Sequence, residues 1–249
     1  MSNIKLHLKK DQQQLQFLGD ALIENKPIPF PNGNSTTAYS SLFYWAHAQA
    51  LDDGGIPLHY HEGFEIMTFI LKGSAEHYDT ATKVWTPLQE GDVQVIQAGS
   101  GVQHSERAKK SGEAFQIWFD PDITKAIRKD ASYKDYKAND FKSKIVNGIE
   151  ELVYIGEDGI IKHDTPNISV KKLSFDKGNY QEKLDKQYTY SFYLLDGEIS
   201  IDDKTMQKDD FFIIDSSDSI NYKIKDKAVL FVIKSMTNIE YPLFKDKYK

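Results

Sequence analysis

Short runs of β-branched and aromatic residues, separated by turn residues, recur along the chain from residue 41 onward. The clearest run covers residues 64–71 and ends at Lys72-Gly73. A continuous apolar run of this length is typical of a strand that is buried on both faces. Residues 93–96 and 114–119 form similar runs, and Pro121 follows the second. The pattern predicts a strand-rich fold.

A change of composition divides the chain near its middle. Between residues 123 and 142, lysine, aspartate, alanine and tyrosine replace the strand pattern, which predicts a linker with one or two short helices. Strand-like runs then return between residues 170 and 233. We therefore predict an N-terminal domain at 1–120, a linker at 121–150 and a C-terminal domain at 151–249.

The two halves share a faint internal similarity, in which a strand meets a glycine turn and an acidic turn precedes a later strand. Gly73 and the turn Glu90-Gly91-Asp92 in the first half correspond to Gly197 and the turn Lys208-Asp209-Asp210 in the second. Short strands with regular turns, repeated twice, predict an all-β protein built from two tandem barrels or sandwiches.

Composition narrows the classes of function. The chain has 249 residues, enough for two domains with their own cores, and a formal net charge of −6, which gives no support to direct nucleic-acid binding. It has no cysteine, so a metal would need nitrogen and oxygen ligands. No apolar stretch approaches the roughly 18 residues of a membrane span, and the N-terminus has no signal-peptide pattern. We expect a cytoplasmic protein without membrane contact.

Two pairs of metal-ligating residues stand at strand spacing. His59 and His61 are separated by one residue, as are His104 and Glu106, and this spacing places both members of a pair on one face of a strand. A single pair of this kind is more often hydrogen-bonded or exposed than metal-bound. Two pairs on adjacent strands can converge as three nitrogens and one carboxylate oxygen, with coordination positions left for other ligands. The joint pattern favours one divalent transition metal.

Several blocks around these residues resemble the signature segments of the pirin family of cupins. They occur in order and with compatible spacing between about residues 54 and 120. The blocks are 55–65 (GIPLHYHEGFE), 71–73 (LKG), 76–79 (EHYD), 91–94 (GDVQ) and 98–106 (AGSGVQHSE). The family often has proline between the two histidines and arginine after them, whereas this chain has Tyr60 and Glu62. Both have the opposite strand parity to the histidines, so we expect ligation to be unaffected.

The resemblance implies a bicupin, that is, two tandem cupin (jelly-roll) β-barrels joined by a short, partly helical linker. It implies that the first barrel holds a metal, usually iron, through the residues that match His59, His61, His104 and Glu106. Fe(II) is therefore the expected ion, although three imidazoles and a carboxylate also accept Mn, Co, Ni, Cu or Zn. The C-terminal barrel, with His163 as its only histidine, is expected to lack metal ligands and to serve packing and closure.

The resemblance also implies quercetin 2,3-dioxygenase activity, in which the substrates are a small flavonol and O2. Glu106 is the expected general base, because it would lie within reach of a metal-bound hydroxyl. Met67, Phe69 and Trp118 are candidates for an apolar cavity wall, or equally for ordinary barrel core. One alternative is a regulatory or sensor protein that binds a protein partner without turnover. Another is a cupin enzyme with a different small oxygenated substrate.

The remaining metal-capable side chains have other expected roles. Glu65 is the alternative fourth ligand, because general cupin motifs place a glutamate after the two histidines. His77 lies by a turn, and we expect it to face solvent or to bond within that turn. His7, His47 and His163 have no partner nearby in the sequence and are expected to be structural.

Overall fold

A computed structural model describes residues 3–31, 38–80 and 82–248. The predicted all-β class is confirmed, because strands dominate and the single α-helix in these ranges has four residues. The strands of the first half are β1 (Ile4–Leu8), β2 (Gln14–Leu18), β3 (Leu22–Ile28), β4 (Leu42–Ala50), β5 (Gly54–His61), β6 (Glu65–Lys72), β7 (Ser74–Asp79), β8 (Trp85–Gln89), β9 (Val93–Gln97), β10 (Val102–Ala108) and β11 (Glu113–Phe119).

The second half begins with α1 (Ile123–Ala126), which Asp122 caps by accepting a hydrogen bond from the Thr124 backbone N–H. Its strands are β12 (Ser132–Tyr136), β13 (Ser143–Val146), β14 (Ile149–Ile155), β15 (Ile168–Phe175), β16 (Gly178–Lys183), β17 (Tyr188–Ile201), β18 (Lys204–Gln207), β19 (Phe211–Ile214) and β20 (Ser219–Met236). Short 3-10 turns lie at Lys10–Gln12, Ala138–Asp140 and Phe244–Tyr248. None of the helices in the described ranges is long and apolar enough to cross a membrane.

The chain forms two compact units. The N-terminal unit comprises the described residues of 13–140, 163–166 and 240–248, and the C-terminal unit those of 3–12, 141–162 and 167–239. Each unit thus contains a chain end from the other half of the sequence. Local pattern could not indicate this exchange, because it depends on which sheet edge a terminal segment meets. The domain boundaries expected at residues 120 and 150 stay a prediction.

Two antiparallel sheets build the N-terminal unit. One has the strand order β12-β9-β6-β11-β4-β3-β2, and the other has the order β5-β10-β7-β8. The predicted central strand, β6, pairs with β9 and β11, and its residues are buried as far as Ile70. A core of aromatic and aliphatic side chains, including Phe43, Phe64 and Ile66, fills this unit. Burial on both faces explains why the β6 sequence is apolar without alternation.

The C-terminal unit is a nine-stranded antiparallel assembly. Its main order is β1-β19-β17-β20-β15-β14-β13, while β16 pairs with β20 and β18 pairs with β17. Its large core cluster includes Leu173, Phe192, Phe212 and Leu230. The segment expected as a linker is only partly helical, since β12 joins β9 of the N-terminal unit and β13 joins β14 of the C-terminal unit. Pairing with these neighbours supplies the strand geometry that the polar local sequence did not indicate.

Candidate metal centre

The three motif histidines meet between strands β5 and β10. His104 is directly opposite His59 in the antiparallel pair, and His61 lies two residues further along β5 on the same face. One ring nitrogen from each of the three lies within 4.8 Å of the others. His104 has no exposed surface, and the other two are half-buried. The strand spacing therefore produces the convergence of the imidazoles that it predicted.

Backbone features place the histidine pair. Pro57 has no N–H to donate to the neighbouring strand. A β-bulge lies next to it: β5 has one residue more than β10 between the pairs His59–His104 and Ile56–Glu106. At the start of β10, Gly101 has a φ of +133°, and a Cβ there would collide with the Tyr60 ring. Tyr60 is 53% exposed, which confirms its predicted orientation away from the ligand face.

A backbone carbonyl selects the tautomer of His59. Its Nδ1 lies 2.8 Å from the Pro57 carbonyl oxygen. Because a carbonyl only accepts hydrogen bonds, Nδ1 must carry the proton, and Nε2 keeps its lone pair. This is the arrangement in which an imidazole can bind a metal through Nε2 while its other nitrogen fixes the ring orientation.

Burial in the cluster keeps two of the imidazoles, those of His61 and His104, neutral. Burial, together with the neighbouring imidazoles, lowers the pKa of both His61 and His104 to about 3. His61 Nε2 and both ring nitrogens of His104 are buried without a hydrogen-bond partner among the described residues. Buried polar atoms left in this state carry a free-energy cost, which coordination of a cation by their lone pairs would offset. The donor set and its uncommitted nitrogens fit a divalent transition metal.

Glu106 lies beside this group but is not one of its members. Both of its carboxylate oxygens are 3.0 Å from Gln116 Nε2, and Gln116 Oε1 in turn accepts a hydrogen bond of 3.1 Å from Trp118 Nε1. Glu106 also borders a surface cavity of about 440 Å³. The structure thus brings three of the four predicted ligands together and holds the fourth through an amide. Ligation by Glu106 stays a prediction.

His77 contradicts the sequence-based expectation. Its exposed fraction is 1%, its ring stacks on Tyr133, and its centroid is 5.4 Å from that of His104. Both ring nitrogens are buried without a hydrogen-bond partner, and burial lowers the pKa of His77. The expectation of a solvent-facing or turn-bonded side chain was wrong, because β7 pairs with β10 and lies inside the four-stranded sheet. Its place in the 76–79 motif block was the available signal.

Glu65 is committed elsewhere. It is buried and accepts hydrogen bonds from the side chain of Gln97 and from the backbone N–H groups of Asp164 (2.6 Å) and Thr165 (2.9 Å). The Thr165 hydroxyl donates to it as well. Glu65 therefore anchors the 163–166 segment within the N-terminal unit and lies outside the histidine group.

The other three histidines have structural partners, as predicted. His7 pairs with Asp210 at 2.8 Å, His47 with Glu113 at 3.2 Å, and His163 with the Thr165 carbonyl at 2.8 Å. His163 belongs to the N-terminal unit, whereas His7 belongs to the C-terminal unit. The expectation that His163 is the histidine of the C-terminal barrel was therefore wrong.

Aromatic rings border the centre on one side. Trp118 and Phe64 each lie with their ring centroids 5.2 Å from that of His61, and Trp118 stacks on Tyr44 at 4.1 Å. Trp118 thus has the predicted position beside the histidines, and Phe64 is an addition that the sequence did not single out. Met67 and Phe69 are buried within β6.

Solved structures share this fold. A quercetin 2,3-dioxygenase from Acinetobacter baumannii matches with a TM-score of 0.80 and 18% identity, over 95% of this chain and 88% of that one. The nickel(II) complex of the bacterial pirin YhhW from Escherichia coli matches with a TM-score of 0.78 and 18% identity, over 94% and 99%. The tandem cupin fold is thereby confirmed, and the N-terminal unit contains a group of three histidines that could hold a metal ion.

Sequence comparison finds relatives in the pirin family. Residues 33–119 match the family model described as Pirin. "Pirin-1" of Arabidopsis thaliana is 28% identical over 149 residues, which are 58% of this chain and 51% of that protein. A "Pirin-like protein" of Solanum lycopersicum is 25% identical over 203 residues, or 79% and 68%. The chain thus spans about half of the first relative. The match to the Pirin model covers part of the chain, and the resemblance to the pirin family is confirmed.

Proposed function

We propose that this protein is a metal-dependent oxidoreductase that cleaves a flavonol such as quercetin, or a related small oxygenated compound, with O2. The observation that carries the proposal is the group of three converging imidazoles beside a carboxylate, in which His61 and His104 have buried ring nitrogens without a hydrogen-bond partner among the described residues. The name of the Acinetobacter baumannii structure supports the reaction class. We propose Fe(II) as the native ion, held by His59, His61 and His104, with Glu106 as the fourth ligand or as a base next to it.

When bound, a divalent transition metal supplies Lewis-acid polarisation of substrate oxygens and a route for electrons between the substrate and dioxygen. Glu106 accepts the proton of the substrate hydroxyl, which leaves an electron-rich enolate that can react with dioxygen. Ring cleavage then releases carbon monoxide. Because Glu106 borders a surface cavity, the proton has a path to solvent.

Neighbouring side chains would set the orientation of base and substrate. The amide of Gln116 holds both oxygens of Glu106, and the indole N–H of Trp118 holds Gln116, so the carboxylate has a defined direction. The half-buried ring of Trp118 next to His61 offers an apolar face to a planar substrate, and the buried ring of Phe64 packs beside it and excludes water from the reacting oxygens.

The test combines metal content with turnover. Protein purified without added metal is analysed for bound elements, reconstituted anaerobically with Fe(II), and assayed for quercetin depletion, O2 uptake and carbon monoxide. We expect one equivalent of metal and coupled consumption of both substrates. The same measurements on His104→Ala should show loss of the metal. His7→Gln is the matched control for that variant, because it also replaces a histidine, which is partly buried but lies in the C-terminal unit. Metal-loaded protein that depletes neither quercetin nor O2 contradicts the proposal and favours the regulatory alternative.

A further inference from the structure

The C-terminal unit contains a cavity of about 430 Å³ whose lining residues all come from that unit. Strands β14, β15, β16, β17 and β20 contribute to its walls. A volume of this size falls within the range of small-molecule sites. The cavity therefore has room for a ligand in the barrel that was expected to serve packing alone.

A charged cluster lies in the wall of this cavity. Lys171 alternates on β15 with Leu173 and Phe175, which belong to the apolar core, so its side chain points inward and is only 23% exposed. Its ammonium contacts Glu151 at 3.1 Å and Glu182 at 2.8 Å. Burial of a lysine with two carboxylates is costly unless all of their hydrogen-bonding groups are paired.

The cluster retains unused hydrogen-bonding groups that face the cavity. An ammonium has three N–H donors, and Lys171 uses two of them among the described residues. Glu182 is satisfied on both oxygens, because the Tyr222 hydroxyl donates to its second oxygen at 2.6 Å. Glu151 Oε1 accepts from Lys171, and its Oε2 has no partner in the described part of the chain. One donor and one acceptor therefore remain on adjacent side chains.

Shape and charge select the class of ligand. Tyr188, Tyr190, Phe192 and Tyr222 supply aromatic surface to the lining. Four lysines and four acidic side chains border the cavity, so their charges cancel and neither an anion nor a cation gains from the net field. Aromatic faces with a few placed polar groups are typical of sites for rings that carry polar substituents.

We propose that this cavity binds a small neutral ring that carries hydroxyl groups. One ring hydroxyl accepts a hydrogen bond from the third N–H of Lys171, and a second hydroxyl donates a hydrogen bond to Glu151 Oε2. The face of the ring packs against the tyrosines. Polyphenols and cyclic polyols both carry hydroxyl groups on a ring, and titration with one probe of each kind distinguishes them. The site is independent of the metal centre and of the reaction proposed for it.

Methyl NMR of the full chain, labelled at isoleucine, leucine and valine, reads the two units separately. Val153, Ile168 and Leu184 line the cavity, whereas Ile66 and Val95 lie in the N-terminal unit. Phloroglucinol and myo-inositol are titrated as the phenolic and the polyol probe. We expect saturable shifts of the three cavity methyl groups with at least one probe. If only one probe binds, it identifies the source of the ligand; if neither shifts these signals, the proposal is wrong.

Charged probes test the ligand class. Benzoate and benzylamine are titrated in the same way, and each should bind more weakly than the better neutral probe. Tighter binding of either charged probe would overturn the assignment of a neutral ligand.

Variants test the two hydrogen-bonding groups. Glu151→Gln keeps the volume but removes the charged acceptor, and we expect binding on the order of 10-fold weaker. Ser169→Phe fills space at the cavity wall and should abolish binding without removing a charge. Lys172→Gln, at the neighbouring β15 position that does not line the cavity, is the matched control and should bind as the wild type does. Unchanged binding in both Glu151→Gln and Ser169→Phe would place the probe elsewhere and contradict the proposal.

The same titration on His104→Ala separates this site from the metal centre. Binding in the C-terminal cavity should persist in that variant, whether or not the protein turns over quercetin. Loss of the cavity shifts in His104→Ala, with the methyl spectrum otherwise intact, would mean that binding in the cavity depends on the metal centre and would contradict the proposal of an independent site.

Discussion

The histidine group of the N-terminal unit and the Lys171 cluster of the C-terminal unit both bury titratable side chains, but the charge states of these side chains are opposite. The imidazoles of His61 and His104 lose their charge, since burial lowers the pKa of each to about 3, and their lone pairs stay uncommitted. Lys171 keeps its charge: burial opposes the charged form, but Glu182 and Glu151 raise its pKa above the ordinary value. Neutral nitrogens can bind a metal, whereas a protonated amine can only donate hydrogen bonds.

This difference explains why similar strand geometry supports different chemistry in the two units. In both units, alternate residues of antiparallel strands point inward, so a residue's parity decides whether it enters the interior. The side-chain type then decides what the interior can bind.

His104→Ala should remove the metal. His104 is the fully buried member of the group, and its loss leaves two half-buried imidazoles. Because loss of even a supporting residue typically weakens metal affinity 10- to 100-fold, loss of a direct ligand should cost at least about 100-fold. Elemental analysis and a competition titration with a chelator measure the effect. One full equivalent of tightly bound metal in this variant would show that the ion sits elsewhere.

Lys171→Met should destabilise the C-terminal unit by about 3 kcal/mol, because it leaves two acidic side chains without their cation. Lys172→Met, at the half-buried neighbouring position outside the charged cluster, should change the free energy of unfolding by about 1 kcal/mol or less. Urea denaturation, followed by tyrosine signals, compares the two. Equal effects would mean that the ammonium contributes packing rather than charge pairing.

Asp120 is a further buried titratable group, in the N-terminal unit, whose protonation can be compared with that of the imidazoles and of Lys171. Burial raises its pKa to about 6, although it accepts backbone hydrogen bonds from Lys245 and Phe244. The folded state thus binds the proton more tightly than the unfolded state, whose carboxyl has its ordinary pKa near 4. Stability should fall as the pH rises through this window, by at most about 3 kcal/mol, and level off above pH 6.

Asp120→Asn should remove that part of the pH dependence. The measurement is the difference in unfolding free energy between wild type and variant at several pH values from 4 to 7. The variant's own loss of an acceptor shifts its stability equally at every pH, so only the slope is diagnostic. A constant difference across the range would contradict the raised pKa.

Gln116→Leu should give the smallest effect, because it removes only the hydrogen bonds that orient Glu106. We expect the activation free energy to rise by about 1.4 kcal/mol, which lowers the activity about 10-fold. The metal content should stay unchanged. Gln116 acts through Glu106, so it is a positioning residue. Gln116→Glu, which places a like charge against Glu106, should displace the pH profile of kcat, whereas a structural role alone would leave the profile in place. Loss of metal in Gln116→Leu would instead point to a role in holding the ion.

Much of the N-terminal unit could be predicted from local residues. The alternation at His59 and His61, and the position of His104 two residues before Glu106, determine which side chains share a face, because the strand repeat of two needs no tertiary information. The apolar run of β6 and its glycine turn predicted the central strand for the same reason. The resemblance of the motif blocks to the pirin family then predicted the tandem cupin fold.

Other features were decided only by the tertiary structure, because they depend on pairings between residues that are distant in sequence. The burial of His77 beside His104 follows from the pairing of β7 with β10. Glu65 is bound to a segment 99 residues further along the chain. Lys171 and Lys172 are identical in the sequence, and only the registration of β15 against the core of its unit turns the first one inward. Strand repeat specifies which residues share a face, but the neighbours of the strand specify which face is buried.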